Sequence, residues 1–230
     1  FDGLNLSYEV LEGIMKHSKG FNRHPYGNKM EETFNNPSIE AQIANLADEI
    51  TYYAHDLDDG LDFNLINEEQ LIELDLWQRC VNFVDTNYNN LKGKRRRSYI
   101  IRNLLDFQVA DVIRASTQYI SEHRLDSSDQ ARRNSGRLIR NTNEVNESSL
   151  QLKKFLYENL YNHQEVAKPN KRGGEIIASV FQAFTKKPSL LGDSTSKRIS
   201  NHGLHRTVCD YIAGMTDRYI IEEFDKIMKL

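Results

Sequence analysis

The chain has 230 residues, of which 39% are hydrophobic and 27% charged, and its formal net charge is -3. Aromatic residues make up 10% of it, which excludes intrinsic disorder, and no run of about 18 apolar residues is present, which excludes a membrane span. Two cysteines are too few for a disulfide framework, and no apolar signal segment follows Phe1. We therefore expect a cytoplasmic protein with reduced thiols and no membrane contact, built as one large domain or two small ones.

The charges are divided along the chain. Residues 31–78 contain thirteen Asp and Glu and no Lys or Arg, whereas residues 79–140 contain thirteen Lys and Arg against six Asp and Glu. An acidic stretch followed by a basic one is typical of a protein that handles a polyanion through a metal. It is equally typical of a helical protein with two oppositely charged faces.

Helix breakers are few, with four prolines and twelve glycines, and apolar residues recur at spacings of three and four. The sequence therefore predicts an all-α fold. A first helix is predicted from Leu6 to His17, with Ser7 as its cap, and it is followed by a loop rich in Gly, Pro and Asn.

The second helix has the clearest pattern. Asn36 is its predicted cap, Pro37 suits the first helical position, and an apolar stripe follows from Ile39 to an end near Gly60. A third helix is predicted after Asn67, which has the spacing of a capping box with Gln70.

The third helix is predicted to run towards Tyr88, and a short basic connection, 89–97, separates it from a fourth helix through Ile101 and Ile113. Residues 125–146 are polar and predict a loop or a subdomain boundary. Later helices are predicted at 149–166, 174–184 and 204–228, with a loop at 187–201.

Asp48, Tyr52 and Asp56 lie at i, i+4 and i+8 of the second predicted helix, away from its apolar stripe. Two carboxylates with a tyrosine between them suit a divalent cation or a sugar hydroxyl. A solvated acidic face with an incidental tyrosine explains the same spacing.

The segment 92–102 holds six basic residues and no acid. Guanidinium groups match phosphate oxygens in pairs, so the segment suits a phosphorylated ligand or a nucleic acid. The alternative is a solvated basic turn. No phosphate-binding glycine loop and no nucleophile elbow occurs anywhere in the sequence.

Two longer runs carry a resemblance to a known family. They are SIEAQIANLADEITYYAHDLDDGL at 38–61 and DYIAGMTDRY at 210–219, and the segments 4–7 and 12–17 accompany them. Together they resemble the HD-domain deoxynucleoside triphosphate triphosphohydrolases, the dGTPase-like enzymes. The match runs through most of the chain in the same order.

The resemblance implies an all-α HD-type helical bundle that cleaves a dNTP to deoxynucleoside and inorganic triphosphate with a divalent metal, Mg²⁺ or Mn²⁺. It implies that residues 1–124 form the second part of the HD-type domain and residues 125–230 a C-terminal helical subdomain. A homo-oligomer is expected by the same resemblance, with nucleic acid or a dNTP effector as a further ligand.

Residue by residue, the resemblance makes Asp48 the last metal ligand, Tyr52 the group that packs on the deoxyribose, and Asp56 the acid that binds the 3′-hydroxyl. Lys16 matches a lysine near the phosphates, and Arg102 matches a recurrent arginine of the basic helix. The role of the motif around Asp217 is not assigned.

The family's first His and its His-Asp dipeptide lie upstream of the region that matches the start of this chain. His55-Asp56 is not that dipeptide, because it follows Asp48. We therefore expect the chain to be the C-terminal portion of a longer enzyme. The alternative function is a non-catalytic helical module that senses nucleotides or binds nucleic acid through its basic segment.

Overall fold

The structure is a computed structural model that describes residues 4–17 and 34–229. Over these ranges it contains eleven α-helices and no strand, so the predicted all-α fold is confirmed. The chain forms two compact units, the first ending at Leu160 and the second beginning at Tyr161. The predicted loop between the first two helices lies mostly at 18–33, outside the described residues.

The first unit contains six α-helices in its described part. They are α1 (Tyr8–His17), α2 (Ile39–Asp62), α3 (Asp75–Asn87), α4 (Gly93–Glu122), α5 (Ser128–Arg133) and α6 (Asn143–Leu156), and a π-helical turn follows at Tyr157–Tyr161. The long helix α4 packs against both α2 and α3. Leu57 of α2, Val84 of α3 and Leu104 of α4 are all fully buried, and they form part of the apolar core of this unit.

The first helix is confirmed to within two residues, but the predicted cap of α2 is wrong. Ser38 caps α2 by accepting a hydrogen bond from the Ala41 amide at 3.3 Å. Asn36 instead donates its side-chain amide to the carbonyls of Asn134 (2.8 Å) and Gly136 (3.0 Å). Its side chain therefore fastens the start of α2 to the segment that follows α5.

The predicted capping box is present but it begins a shorter element. Asn67 and Gln70 exchange side-chain to backbone hydrogen bonds across a 3₁₀ turn, Glu68–Leu71, and α3 begins separately at Asp75. The basic connection expected at 89–97 is helical for most of its length, because α4 begins at Gly93.

The polar stretch 125–146 is only partly a loop, since it contains α5 and the start of α6. Helix α5 packs against α2, and α6 packs against α2 and α3, so both belong to the first compact unit. The division into domains at residues 124 and 125 stays a prediction.

The second unit contains five α-helices. They are α7 (Gln164–Lys186), α8 (Gly192–Ser196), α9 (Ile199–His202), α10 (Leu204–Ala213) and α11 (Asp217–Ile227). Its core is built around Ile176, Val180 and Phe184 of α7, with Leu191 and Val208. One helix was predicted over 204–228, but Gly214 ends α10 and the Thr216 hydroxyl caps α11.

The run 210–219 builds the turn between α10 and α11. The Asp210 carboxylate accepts a hydrogen bond from Arg206 at 2.8 Å, and the hydroxyls of Tyr211 and Tyr219 lie 3.1 Å apart across the turn. These contacts give the motif a structural role within its own unit.

Candidate functional site

The candidate site begins on the side of α2 that faces away from the core. Helix α2 is continuous over Asp48, Tyr52 and Asp56, so the three side chains follow one side of it for two turns. Asp48 is exposed, and 53% of the Tyr52 surface is exposed, while the opposite side of α2 buries Ile50 and Leu57. The core packing of α2 therefore directs Asp48 away from the apolar interior.

A cavity of about 840 Å³ lies between α1 and α2. The two helices approach closely at Gly13, where an added Cβ would lie 2.8 Å from the Ala41 Cβ. Val10 and Ile14 of α1 give the cavity an apolar wall, and Asp48 lies on its α2 side. Only Glu12 and Gly13 of α1 are buried, so this apolar wall is open to solvent.

His17 lines the same cavity as Asp48, and the sequence interpretation gave it no role. Its Nδ1 lies 2.6 Å from the Asn45 Oδ1, one turn before Asp48 on α2. An amide oxygen only accepts, so this contact is a hydrogen bond in the tautomer that carries the ring proton on Nδ1. The only sequence signal for His17 is its place at the end of the first matched segment.

Lys16 lies on a different face of α1 and does not line this cavity. Its ammonium donates to the Glu12 Oε1 at 2.9 Å and to the carbonyl of Phe34 at 2.7 Å, with the Asn36 carbonyl at 3.4 Å. Among the predicted site residues, the cavity therefore includes Asp48 but not Lys16. The proposed phosphate contact of Lys16 stays a prediction.

The partner of Lys16 belongs to a buried charged cluster that sequence reasoning missed. The Glu12 side chain is 1% exposed, and its second oxygen accepts from the Arg132 guanidinium at 2.6 Å. That guanidinium lies 3.7 Å from the centre of the Phe34 ring. Glu12 and Arg132 are 120 residues apart in the chain, so no local spacing connects them.

Arg102 is exposed on α4, on the opposite side of that helix from the buried residues Ile100 and Leu104. Arg102 is not among the described residues that line the α1–α2 cavity, and its role stays a prediction.

Three other bases of the segment 92–102 pair with acids, which lie partly in the acidic stretch 31–78 and partly in α3. Arg96 donates to both oxygens of Asp85 at 2.8 Å and to Glu68 at 3.0 Å. These hydrogen bonds from Arg96 hold the pKa of the Asp85 carboxyl below its ordinary value. Lys94 and Arg97 both bind Asp62. The two charged stretches of the sequence thus neutralise each other, at least in part, within the fold.

A divalent metal does not fit the described residues by themselves. Over 4–17 and 34–229, no group of three or more His, Cys, Asp or Glu side chains lies close enough to hold a metal ion. Asp48 would supply a single carboxylate, whereas divalent cations in proteins take several ligands. No helix in the described part is long and apolar enough to cross a membrane.

Comparisons with known proteins give the family that this chain resembles. Residues 139–226 match the phosphohydrolase-associated domain. Three similar curated proteins are each named deoxyguanosinetriphosphate triphosphohydrolase-like protein. The one from Geobacter sulfurreducens is 38% identical over all of this chain and 60% of its own length.

The relative from Bordetella pertussis is also 38% identical, over the same shares of the two chains. The relative from Deinococcus deserti is 36% identical over 96% of this chain and 55% of its own length. Both comparisons support a C-terminal region of the dGTPase-like HD-domain family, and the chain spans 55–60% of the length of these relatives.

Proposed function

We propose that the protein to which this chain belongs hydrolyses a deoxynucleoside triphosphate, of the dGTP kind, to deoxynucleoside and inorganic triphosphate. One observation carries the proposal: the entire chain is 38% identical to a protein named deoxyguanosinetriphosphate triphosphohydrolase-like. The alignment includes the run from Ser38 to Leu61, which contains Asp48, Tyr52 and Asp56. The chain would supply one part of the active site.

The geometry of α2 supports roles for these residues. Asp48 borders a cavity of about 840 Å³, which is within the size range of small-molecule sites. Successive residues in a helix rise by about 1.5 Å, so Asp48 and Asp56 are separated by roughly 12 Å along α2. That span suits a ligand whose phosphates lie near Asp48 while its sugar lies near Tyr52 and Asp56.

In this proposal the Tyr52 ring packs on the deoxyribose and leaves no room for a 2′-hydroxyl, while the Asp56 carboxylate accepts a hydrogen bond from the 3′-hydroxyl. Arg102 and Lys16 are the predicted phosphate contacts. Water would attack the α-phosphorus and the bond to the 5′-oxygen would break. The deoxynucleoside would leave with a proton on that oxygen.

A divalent cation, Mg²⁺ or Mn²⁺, would neutralise phosphate charge when bound, as the family resemblance implies. Asp48 would contribute one ligand, and the remaining ligands would lie outside the described residues. In this proposal Tyr52 and Asp56 hold and orient the sugar, and the described residues do not by themselves complete a metal site.

The test is release of inorganic triphosphate from dGTP by the full-length protein with Mg²⁺ or Mn²⁺. We expect Asp48→Ala to lower kcat/KM by about 100-fold or more, because each 1.36 kcal/mol of lost transition-state stabilisation costs a factor of about ten. Asp106→Ala is the matched control, since Asp106 is exposed on α4. Triphosphate release that survives Asp48→Ala unchanged would remove Asp48 from the site.

Tyr52 and Asp56 are tested separately, by measuring kcat and KM with dGTP and with GTP. Tyr52→Ala is expected to allow GTP to bind, so the ratio of kcat/KM for dGTP to kcat/KM for GTP should fall by about tenfold. Asp56→Asn should raise KM for dGTP, since a charge-assisted hydrogen bond would become a neutral one.

A further inference from the structure

The first unit has a second cavity, formed by residues of α2 other than those that border the first. It has a volume of about 440 Å³ and lies between α2 and the second half of α4. None of the described residues that line it is charged, and most are aliphatic, among them Ile43, Val109 and Ile113. We call this cavity the α2–α4 groove.

The groove leaves large aliphatic side chains in contact with water. Ile43 is 49% exposed, Val109 is 45% exposed and Ile113 is 62% exposed. Single exposed apolar residues are ordinary, but a contiguous exposed apolar patch marks an interaction surface. Among the described lining residues, only Ser116 and Thr117 carry a polar side chain. The surface therefore suits an apolar occupant and offers a charged ligand no partner.

Helix α4 is aliphatic along both of its halves, but the core of the unit explains only the first half. Ile100, Ile101 and Leu104 are buried there. Val109 and Ile113 of the second half are exposed, whereas the solvent face of a helix normally carries polar residues. The second half of α4 therefore has the composition of a helix with a packing partner.

The remainder of the full-length protein is long enough to supply that partner. The aligned region covers 60% of the Geobacter sulfurreducens relative, so two fifths of that protein have no counterpart in these residues. Because the match is to a C-terminal region of the family, this remainder precedes α1. Helix α1 packs against α2, so a chain that leads into α1 arrives beside the helix that forms one wall of the groove.

The proposed function requires the same part of the protein to approach α2. A divalent cation at Asp48 would take several ligands, and over 4–17 and 34–229 no group of three such side chains lies together. The further ligands would reach Asp48 from outside these ranges. Ala47, the residue before Asp48, lines the groove. A segment that reaches Asp48 therefore arrives next to the groove.

We propose that the α2–α4 groove is an internal interface of the full-length protein, covered by an apolar segment of the part that precedes α1. This segment packs its apolar side chains against Ile43, Val109 and Ile113, and it supports α2 beside Asp48. A second copy of the chain is the competing occupant. The argument from Asp48 rests on the proposed function, whereas the arguments from exposure and from the length of the relative do not.

The first measurement is accessibility in the full-length protein. Ile113→Cys and Ile72→Cys replace isoleucines that are 62% and 55% exposed, and Ile72 is not among the described residues that line the groove. Iodoacetamide should label Ile113→Cys at least about tenfold more slowly than Ile72→Cys, because labelling in a covered groove requires a local opening. The rates are read by mass spectrometry of the labelled peptides. Equal rates overturn the inference.

The second measurement identifies the occupant. A photoreactive benzoylphenylalanine takes the place of Ile43 or of Val109 in the full-length protein, and the cross-linked products are separated on a denaturing gel. The expected product has the mass of one chain and joins the photoreactive residue to a peptide that precedes α1. A product with the mass of two chains shows a second copy in the groove and overturns the inference. So does a yield no higher than with the same group in place of Ile72, or a cross-link only to peptides within these 230 residues.

Neither measurement depends on catalysis, so the two proposals can fail separately. If the wild-type protein releases no triphosphate from dGTP, the proposed function fails and the argument from Asp48 fails with it. Slow labelling of Ile113→Cys together with a cross-link inside one chain still supports the internal interface in that case.

Discussion

Replacing Gln42 with Met tests how the second helix is joined to the segment after α5. Gln42 is 3% exposed, and its side-chain oxygen accepts hydrogen bonds from the backbone amides of Leu138 at 2.9 Å and Ile139 at 3.4 Å. Its side-chain nitrogen donates to the Pro37 carbonyl at 3.1 Å. Methionine has a similar shape, so packing is largely kept while three buried backbone groups lose their partner.

Each buried polar group left without a partner costs about 1–3 kcal/mol. The hydrogen bond from the Ile139 amide is long, at 3.4 Å, so its loss should cost an amount near the lower end of this range. We therefore expect Gln42→Met to lower the free energy of unfolding of the first unit by about 3 kcal/mol. For a chain of this size the loss corresponds to a fall in Tm of roughly 6–12 °C.

The assay is urea unfolding followed by tryptophan fluorescence, because the only tryptophan, Trp77, is buried in α3 of the first unit. Gln151→Met is the matched control, since Gln151 is exposed on α6 and its substitution should change the free energy by less than about 0.5 kcal/mol. Equal midpoints for the two variants would refute the reasoning. The hydrogen bonds of Gln42 would then contribute nothing net to the stability of the unit.

Three further outcomes are expected. Burial raises the pKa of the Cys80 thiol to about 12, so at pH 9 iodoacetamide should label the exposed Cys209 and leave Cys80 unmodified in the folded chain, as read by mass spectrometry. Hydrogen bonds from Arg96 lower the pKa of Asp85 below its ordinary value of 3.8. The pair therefore stabilises the fold at pH values above 3.8, and this stabilisation is lost as the pH falls through the lowered pKa. In Arg96→Met, NMR titration should show the pKa of Asp85 back in its ordinary range. Thr216→Ala should cost about 1 kcal/mol by removing the cap of α11, seen as faster hydrogen exchange of its first amides.

Most of the helical content could be predicted from the sequence because it depends on local signals. The stripe from Ile39 onwards predicted α2, and the Asn67–Gln70 box predicted the cap at that position. The box could not reveal that the helix it begins has only four residues, since that depends on the following turn. The break before α11 had a local signal, Gly214 followed by Thr216, that the helical periodicity obscured.

The contacts that define the candidate site were less accessible to sequence reasoning. Asn36 was expected to cap α2, but carbonyls 98 and 100 residues later take its side-chain amide, and no local pattern reports such partners. The basic segment predicts either a phosphate or nucleic-acid surface or a solvated turn, and its Arg96 pairs with acids from two other elements that no local pattern indicates. The side of α2 on which Asp48 lies could be predicted from its spacing, because one helix determines which way it points, whereas its role rests on the family resemblance.

The contact between Glu12 and Arg132 has a consequence for the order of folding. The two residues are 120 positions apart, so this contact of α1 cannot form until the chain has been synthesised and folded as far as α5. Contacts between distant parts of a chain form late because the loop between them must first be closed, at a cost in entropy. During synthesis, the Glu12 carboxylate would therefore lack its Arg132 partner while α2, α3 and α4 assemble. The buried charge pair that holds the helix bordering the cavity would therefore form only after α2, α3 and α4 have been made.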